Sequence, residues 1–234
     1  MKTLGLIGGM SWESTALYYR LINEGVRNRL GGLHSARIVL NSLDFAQVEQ
    51  LQSDDRWDEA GELLAEATRS LSAAGAAGVV LCTNTMHKVA PAIERATSLP
   101  FLHIADATAA AIRLAGVERV GLLGTRFTME EDFYRDRLAQ RHGIQVVVPS
   151  EPHRGQVHRI IYDELCRGQV REPSRAIYAE VMQDLVRRGA QGIIFGCTEI
   201  TMLMGDCTGD VPVFDTTTLH AAAAVDFALD GTCA

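Results

Sequence analysis

Short apolar runs alternate with longer amphipathic stretches along the whole chain. "TLGLIGG", "ARIVLNS", "GVVLC" and "PFLHI" are brief aliphatic runs, most of them bounded by glycine, proline or small polar residues. Near-continuous apolar runs of this length predict strands buried on both faces, as in parallel sheets. Between them, "ESTALYYRLINEGVRNRL" repeats apolar residues at helical spacing, with Leu17, Leu21, Ile22 and Val26 near one face. "DRWDEAGELLAEATRSLSAAG" predicts a second helix with glycine at its end, and "MHKVAPAIERAT" a third.

The alternation then starts again. "RVGLLGT", "IQVVVPS", "GIIFGC" and "VPVFD" predict strands; "MEEDFYRDRLAQRHG" and "PSRAIYAEVMQDLVRRGA" predict helices. Alternating strands and helices imply an α/β fold with mainly parallel sheets covered by helices. The second half also copies the first in order. "GLIGGM" and "GLLGTR" begin 116 positions apart, at Gly5 and Gly121. "GAAGVVLCTNT" and "GAQGIIFGCTE" begin 114 apart, and Pro100 and Pro212 lie 112 apart. Nearly constant offsets predict an internal duplication. Two pseudo-symmetric α/β domains are expected, residues 1–104 plus 214–234 and residues 105–213. The alanine-rich C-terminal helix then packs back on the first domain. Ligands of open parallel sheets sit at the carboxyl ends of the strands, so the active site is expected in the interdomain cleft.

Composition narrows the function. A net charge of -7 argues against a nucleic-acid or membrane-surface binder. No apolar stretch is long enough to span a bilayer, and "MKTLGLIGGM" lacks the apolar core of a signal peptide, so a cytoplasmic protein is expected. The five cysteines, Cys82, Cys166, Cys197, Cys207 and Cys233, include no CxxC pair and predict free thiols, with no zinc site or other metal site. "GLIGGM" lacks the spacing of a dinucleotide loop.

The candidate chemistry lies in the middle repeat. Without gaps, Cys82 aligns with Gly196, Thr83 with Cys197, Asn84 with Thr198 and Thr85 with Glu199. Strand side chains alternate faces, so a shift of one residue reverses direction. If Cys197 faces a ligand, its counterpart is Thr83, and Cys82 points into packing. A thiol and a hydroxyl on opposite faces of one substrate carbon can remove a proton from one side and deliver one to the other, which inverts the stereocentre. A helix starting just past each strand is expected to favour a thiolate at Cys197. Asn84, Thr85, Thr198 and Glu199 are candidate contacts for the ammonium and carboxylate of an amino acid. The plainer readings are a buried structural thiol for Cys197 and a helix-capping hydroxyl for Thr83. His87 is expected on a helix surface, and Arg126 either on the surface or on a substrate carboxylate.

"GGMSWEST", "CTNTMH" and "GCTEI", in this order and with the duplication, resemble the aspartate/glutamate racemase family essentially end to end, and within it the bacterial L-aspartate/glutamate-specific members. The resemblance implies a cofactor-independent amino-acid racemase, with no pyridoxal phosphate, acting as a homodimer on a small amino-acid substrate. It implies Thr83 and Cys197 as the acid/base pair and Met10, Ser11 and Gln52 as further substrate contacts. Many relatives have cysteine where this chain has Thr83, and several have lysine near "IYDEL", where this chain has Cys166. A maleate isomerase, a hydantoin racemase or a decarboxylase on the same scaffold, and a non-catalytic small-acid binding protein, remain as alternatives.

Overall fold

The computed structural model describes residues 1–205, 209 and 211–230; Cys207 and Cys233 lie outside them. The chain forms two compact units, one built from Met1–Ile104 and the residues from His220 onward, the other from Ala105–Leu219.

In the first unit the elements run β1 (Leu4–Gly8), α1 (Trp12–Leu30), β2 (Ile38–Ser42), α2 (Phe45–Ser53), α3 (Trp57–Ala73), β3 (Gly78–Leu81), a short 3₁₀ turn at Thr85–Val89, α4 (Ala90–Ala96) and β4 (Phe101–Leu102). The strands form one parallel sheet in the order β2-β1-β3-β4. β1 and β3 are buried along their full lengths, which is why they read as unbroken apolar runs.

The next elements are α5 (Ile104–Leu114), β5 (Arg119–Gly124), α6 (Arg126–Glu130), α7 (Asp132–Asp136), β6 (Gln145–Val147), α8 (His153–Asp163), α9 (Glu172–Arg187), β7 (Ile193–Gly196), α10 (Thr198–Met204) and β8 (Val213–Asp215). Their sheet is also parallel, in the order β6-β5-β7-β8. The last helix, α11 (Thr216–Leu229), begins in the second unit and continues into the first.

The duplication holds to the level of register. Gly5 pairs with Val79 and Gly121 with Ile193; Leu6 pairs with Val80 and Leu122 with Ile194. The same offsets, 116 and 114, were read from the sequence. At the sheet edges, Val79 pairs with Phe101 and Ile193 with Val213, which repeats the third offset of 112.

Each core follows from this arrangement. One face of the first sheet packs Ile7, Val79 and Leu81 against Leu64 and Leu71 of α3. The other packs Leu4, Leu6 and Val80 against Tyr18, Ile22 and Val26 of α1 and Ala221, Ala224 and Val225 of α11. In the second unit Leu123, Ile193 and Phe195 pack against Val157 and Ile161 of α8 and Tyr178, Val181 and Leu185 of α9.

Helix α2 was not predicted, and two predicted helices are corrected. Residues 45–53, to which the pattern assigned no element, form α2. Asp44 caps it by accepting from Ala46 N at 3.1 Å, and Val48, Leu51 and Gln52 bury one face. "MEEDFYRDRLAQRHG" is not one helix. It breaks at Glu131, whose backbone is extended, and its last turn is π-helical over Arg137–Arg141. "MHKVAPAIERAT" divides into the 3₁₀ turn and α4, because Pro91 has no N–H to continue the ladder and sits in the first turn of the new helix.

Candidate active site

Both motifs follow the carboxyl end of the third strand of their sheets, β3 and β7. Beyond β1, Gly9 turns the chain with φ at +91°, and its N–H donates to Thr15 Oγ1 at 2.8 Å. A side chain at Gly9 would meet the carbonyl oxygen of Leu43, so the loop closes on the end of β2. Met10 packs into the core with Val48, Leu51 and Met86. Ser11 caps α1, its hydroxyl accepting from Ser14 N at 3.2 Å.

Beyond β3, Cys82 is fully buried among Leu4, Leu6, Tyr18, Val80 and Ala221. Its N–H donates to Ile7 O at 2.9 Å, and burial pushes its thiol far up from its ordinary value. Thr83 is part-buried, and its N–H donates to Leu81 O at 2.9 Å. The 3₁₀ turn that follows is capped at Asn84, with no side-chain cap bond, so the expected alternative of a capping Thr83 hydroxyl does not apply. Asn84 and Thr85 are buried beside it. Gln52, in the last turn of α2, is also buried, and its amide donates to Met86 Sδ at 2.9 Å. Gln52 is therefore joined to the turn that carries the first motif.

His87 departs from expectation. It is 2% exposed, not a surface residue. Its neighbours Met86, Val89 and Ala90 are all buried, and that apolar setting was the sequence signal for a core position.

In the second unit Cys197 is the N-cap of α10, with extended backbone. Its thiol donates to Glu199 Oε2 at 3.0 Å. Burial comes first and the Glu199 carboxylate second in pushing the thiol well above its ordinary value, while the Glu199 backbone N–H works the other way. The expected depression of this thiol is thus corrected. A helix end contributes a partial charge, whereas Glu199 contributes a full negative charge at hydrogen-bond distance. Cys166 packs against the same apolar cluster as Cys197.

Thr198 is buried and shares a hydrogen bond of 2.9 Å with the Thr217 hydroxyl. Thr216 donates to Phe195 O at 2.8 Å. These two threonines, just past β8, were not singled out from the sequence. "FDTTTLH" signals a helix start there, and Asp215 accepts from Thr217 N at 3.0 Å. Arg126 is half-exposed, pairs with Glu130 at 3.6 Å, and donates its backbone N–H to His158 Nδ1 at 3.2 Å. A separate groove of about 980 Å³ runs along α2, α3 and α4, lined by Trp57, Arg69, Lys88 and Arg95 among others. It includes neither Thr83 nor Gln52. Among the described residues no group of three His, Cys, Asp or Glu side chains is arranged to hold a metal ion. No helix among them is long and apolar enough to cross a membrane.

Residues 7–224 match the Asp/Glu/hydantoin racemase family. A crystal structure from Yersinia pestis, provisionally described as an Asp/Glu racemase, is 58% identical with a TM-score of 0.92, covering 98% of this chain and 100% of that one. An aspartate racemase homologue from Pyrococcus horikoshii OT3 is 31% identical with a TM-score of 0.84, covering 97% and 99%. The aspartate racemase of Picrophilus torridus, 20% identical with a TM-score of 0.76 over 97% and 94%, shares the fold. With a match of this extent and the same fold, the chain belongs to the Asp/Glu/hydantoin racemase family and is an isomerase.

Proposed function

We propose that the protein racemises aspartate or glutamate without a cofactor, by two-base proton transfer between Thr83 and Cys197. The observation that supports this reading most is the repeated register. Thr83 and Cys197 each follow the equivalent strand at the equivalent position, 114 residues apart. Among the described residues the Thr83 hydroxyl has no hydrogen-bond partner, which suits a group that must reach a substrate. Asn84, Thr85, Thr198 and Glu199, with Met10, Ser11 and Gln52, are proposed to line the substrate.

From the L-enantiomer, the Cys197 thiol first passes its proton to Glu199. The resulting thiolate removes the α-proton and is again a thiol. The Thr83 hydroxyl delivers a proton to the opposite face of the carbanion and is reprotonated by solvent, and Glu199 returns its proton to solvent. A hydroxyl is a poorer acid and base than a thiol, so the pair is uneven. Because the two enantiomers are equally stable, both directions share one value of kcat/KM. The L-preference therefore appears as a higher kcat from the L-enantiomer with a proportionally higher KM. The homodimer and the cytoplasmic location rest on the resemblance and the composition; light scattering tests the first.

The test is incubation of each enantiomer of aspartate and glutamate in deuterated water without added cofactor, followed by chiral analysis. Inversion with deuterium at the α-carbon is expected. Thr83→Ser retains activity, and Thr83→Cys raises kcat from the D-enantiomer. An unchanged D-enantiomer kcat in Thr83→Cys counts against the assignment. The family also includes hydantoin racemases, and α-exchange in a hydantoin but in no amino acid would favour that reading.

A further inference from the structure

Behind the first motif lies a group of buried rings that the proton transfer does not use. His87, His103 and His220 are 2%, 5% and 0% exposed. The His87 ring centroid is 4.4 Å from that of His103, 5.5 Å from Phe101 and 6.0 Å from His220.

The hydrogen bonds of His87 fix its proton. Nε2 lies 3.2 Å from the backbone N of Ile104, which can only donate, so Nε2 is the acceptor and carries no hydrogen. Nδ1 lies 2.7 Å from the carbonyl oxygen of Thr83, which can only accept, so Nδ1 carries the hydrogen. The ring is the neutral Nδ1–H tautomer, and a second proton would break the bond to Ile104. The backbone N–H of His87 is spent on Asn84 O at 3.0 Å, so it is the ring that reaches the Thr83 carbonyl. Ile104 is the last residue before the chain leaves the first unit.

We propose that His87 is the positioning residue for Thr83: its buried ring, held by Ile104 N–H, grips the Thr83 carbonyl and fixes the backbone from which the Thr83 hydroxyl projects. This inference rests on the two-base reading above. The second motif has no counterpart. The residue 114 positions on is Thr201, and Cys197 is held through its own sulfur by Glu199. A freely rotating hydroxyl with no bond of its own needs a fixed backbone; a thiol bonded to a carboxylate needs it less.

Two substitutions separate the arms of the ring. The amide nitrogen of asparagine occupies about the position of Nδ1, and the amide of glutamine about that of Nε2. His87→Asn keeps a donor for Thr83, and His87→Gln keeps only the contact with Ile104. Misplacing a reacting group by about 1 Å costs up to about a hundredfold. The expected result is therefore a loss of inversion kcat of ten- to a hundredfold in His87→Gln with KM nearly unchanged, and recovery of most of it in His87→Asn. In deuterated water, exchange with retention in the L-substrate, which needs only Cys197, continues in His87→Gln, so the ratio of retained exchange to inversion rises.

A merely structural role predicts that both variants lose activity in step with folded fraction, with the ratio unmoved, and that result overturns the inference. Thr83→Ala run in parallel separates the two readings. If it still inverts substrate, the Thr83 assignment fails. If it does not, and His87→Gln matches the parent, only the His87 inference fails. Should neither His87 variant fold, nitrogen-detected NMR of the parent decides: the inference requires the Nδ1–H tautomer, and a doubly protonated or Nε2–H ring overturns it.

Discussion

At the residue scale, Glu199 carries the most consequence for so short a contact. It accepts the Cys197 thiol at 3.0 Å and is itself buried. Its charge holds the proton on sulfur, and the mechanism proposed above also asks it to take that proton. Glu199→Gln separates the two effects. Without the charge the thiol's pKa falls, although burial still holds it up, and alkylation of Cys197 at pH 8 quickens by up to about tenfold for each unit by which the pKa falls. Racemisation falls by roughly 10²–10⁴, the usual contribution of a general acid or base. Site-resolved mass spectrometry after iodoacetamide treatment distinguishes Cys197 from Cys166, and chiral chromatography reads the turnover. Slower alkylation, or parent-like turnover, would remove Glu199 from the proton path. Sequence alone put Glu199 near the site as a substrate contact; its bond to sulfur depends on side-chain conformation that no spacing reveals.

At the scale of elements, the loop after β1 is set by one glycine. Gly9 has φ at +91°, and an added Cβ would lie against the backbone of Leu43, which cannot swing aside as a side chain could. Gly31, after α1, also has positive φ, at +76°, but open space around it. Gly31→Ala therefore pays backbone strain alone, about 1–3 kcal/mol. Gly9→Ala pays that strain and a steric clash, about 3 kcal/mol or more in all, and disturbs the adjoining Met10 and Ser11. Urea titrations of both variants test the difference; equal losses would show that the Leu43 contact relaxes. The same loop shows what a sequence discloses. The buried strands were legible because burial on both faces leaves an unbroken apolar run, and the duplicated register followed from constant spacing. Helix α2 was not, because its burial rests on Val48, Leu51 and a buried glutamine, too little apolar signal to stand out. Helix α8 was missed for a similar reason: His153, Arg154, Gln156, His158 and Arg159 mask the stripe of Val157, Ile160 and Ile161.

At the scale of the whole molecule, each unit includes a helix that follows the last strand of the other in the chain. β4 belongs to the first unit, yet α5, which follows it, lies in the second from Ala105 onward. β8 belongs to the second unit, yet α11 lies in the first from His220 onward. Equivalent tyrosines receive these helices. Tyr134 donates to Thr108 of α5 at 3.4 Å; Tyr18, 116 residues earlier, meets Nδ1 of His220 in α11 at 2.9 Å. The other nitrogen of His220 lies 2.7 Å from Leu102 O, an obligatory acceptor, so it holds the hydrogen, and with the ring neutral Tyr18 donates to Nδ1. Both tyrosines are fully buried, and burial raises the hydroxyl pKa of Tyr134. Removing the two hydroxyls should nevertheless have unequal effects. Tyr18→Phe leaves a buried ring nitrogen without its donor, a cost of about 1–3 kcal/mol. Tyr134→Phe removes a long bond to a hydroxyl that can rotate, and costs less than about 1 kcal/mol. Since α11 covers Leu4, Leu6 and Val80, the Tyr18→Phe loss should come with faster amide hydrogen exchange in α11 and β1. A Tyr134→Phe variant as destabilised as Tyr18→Phe, or unchanged exchange in α11, would show that His220 does not fasten the returning helix.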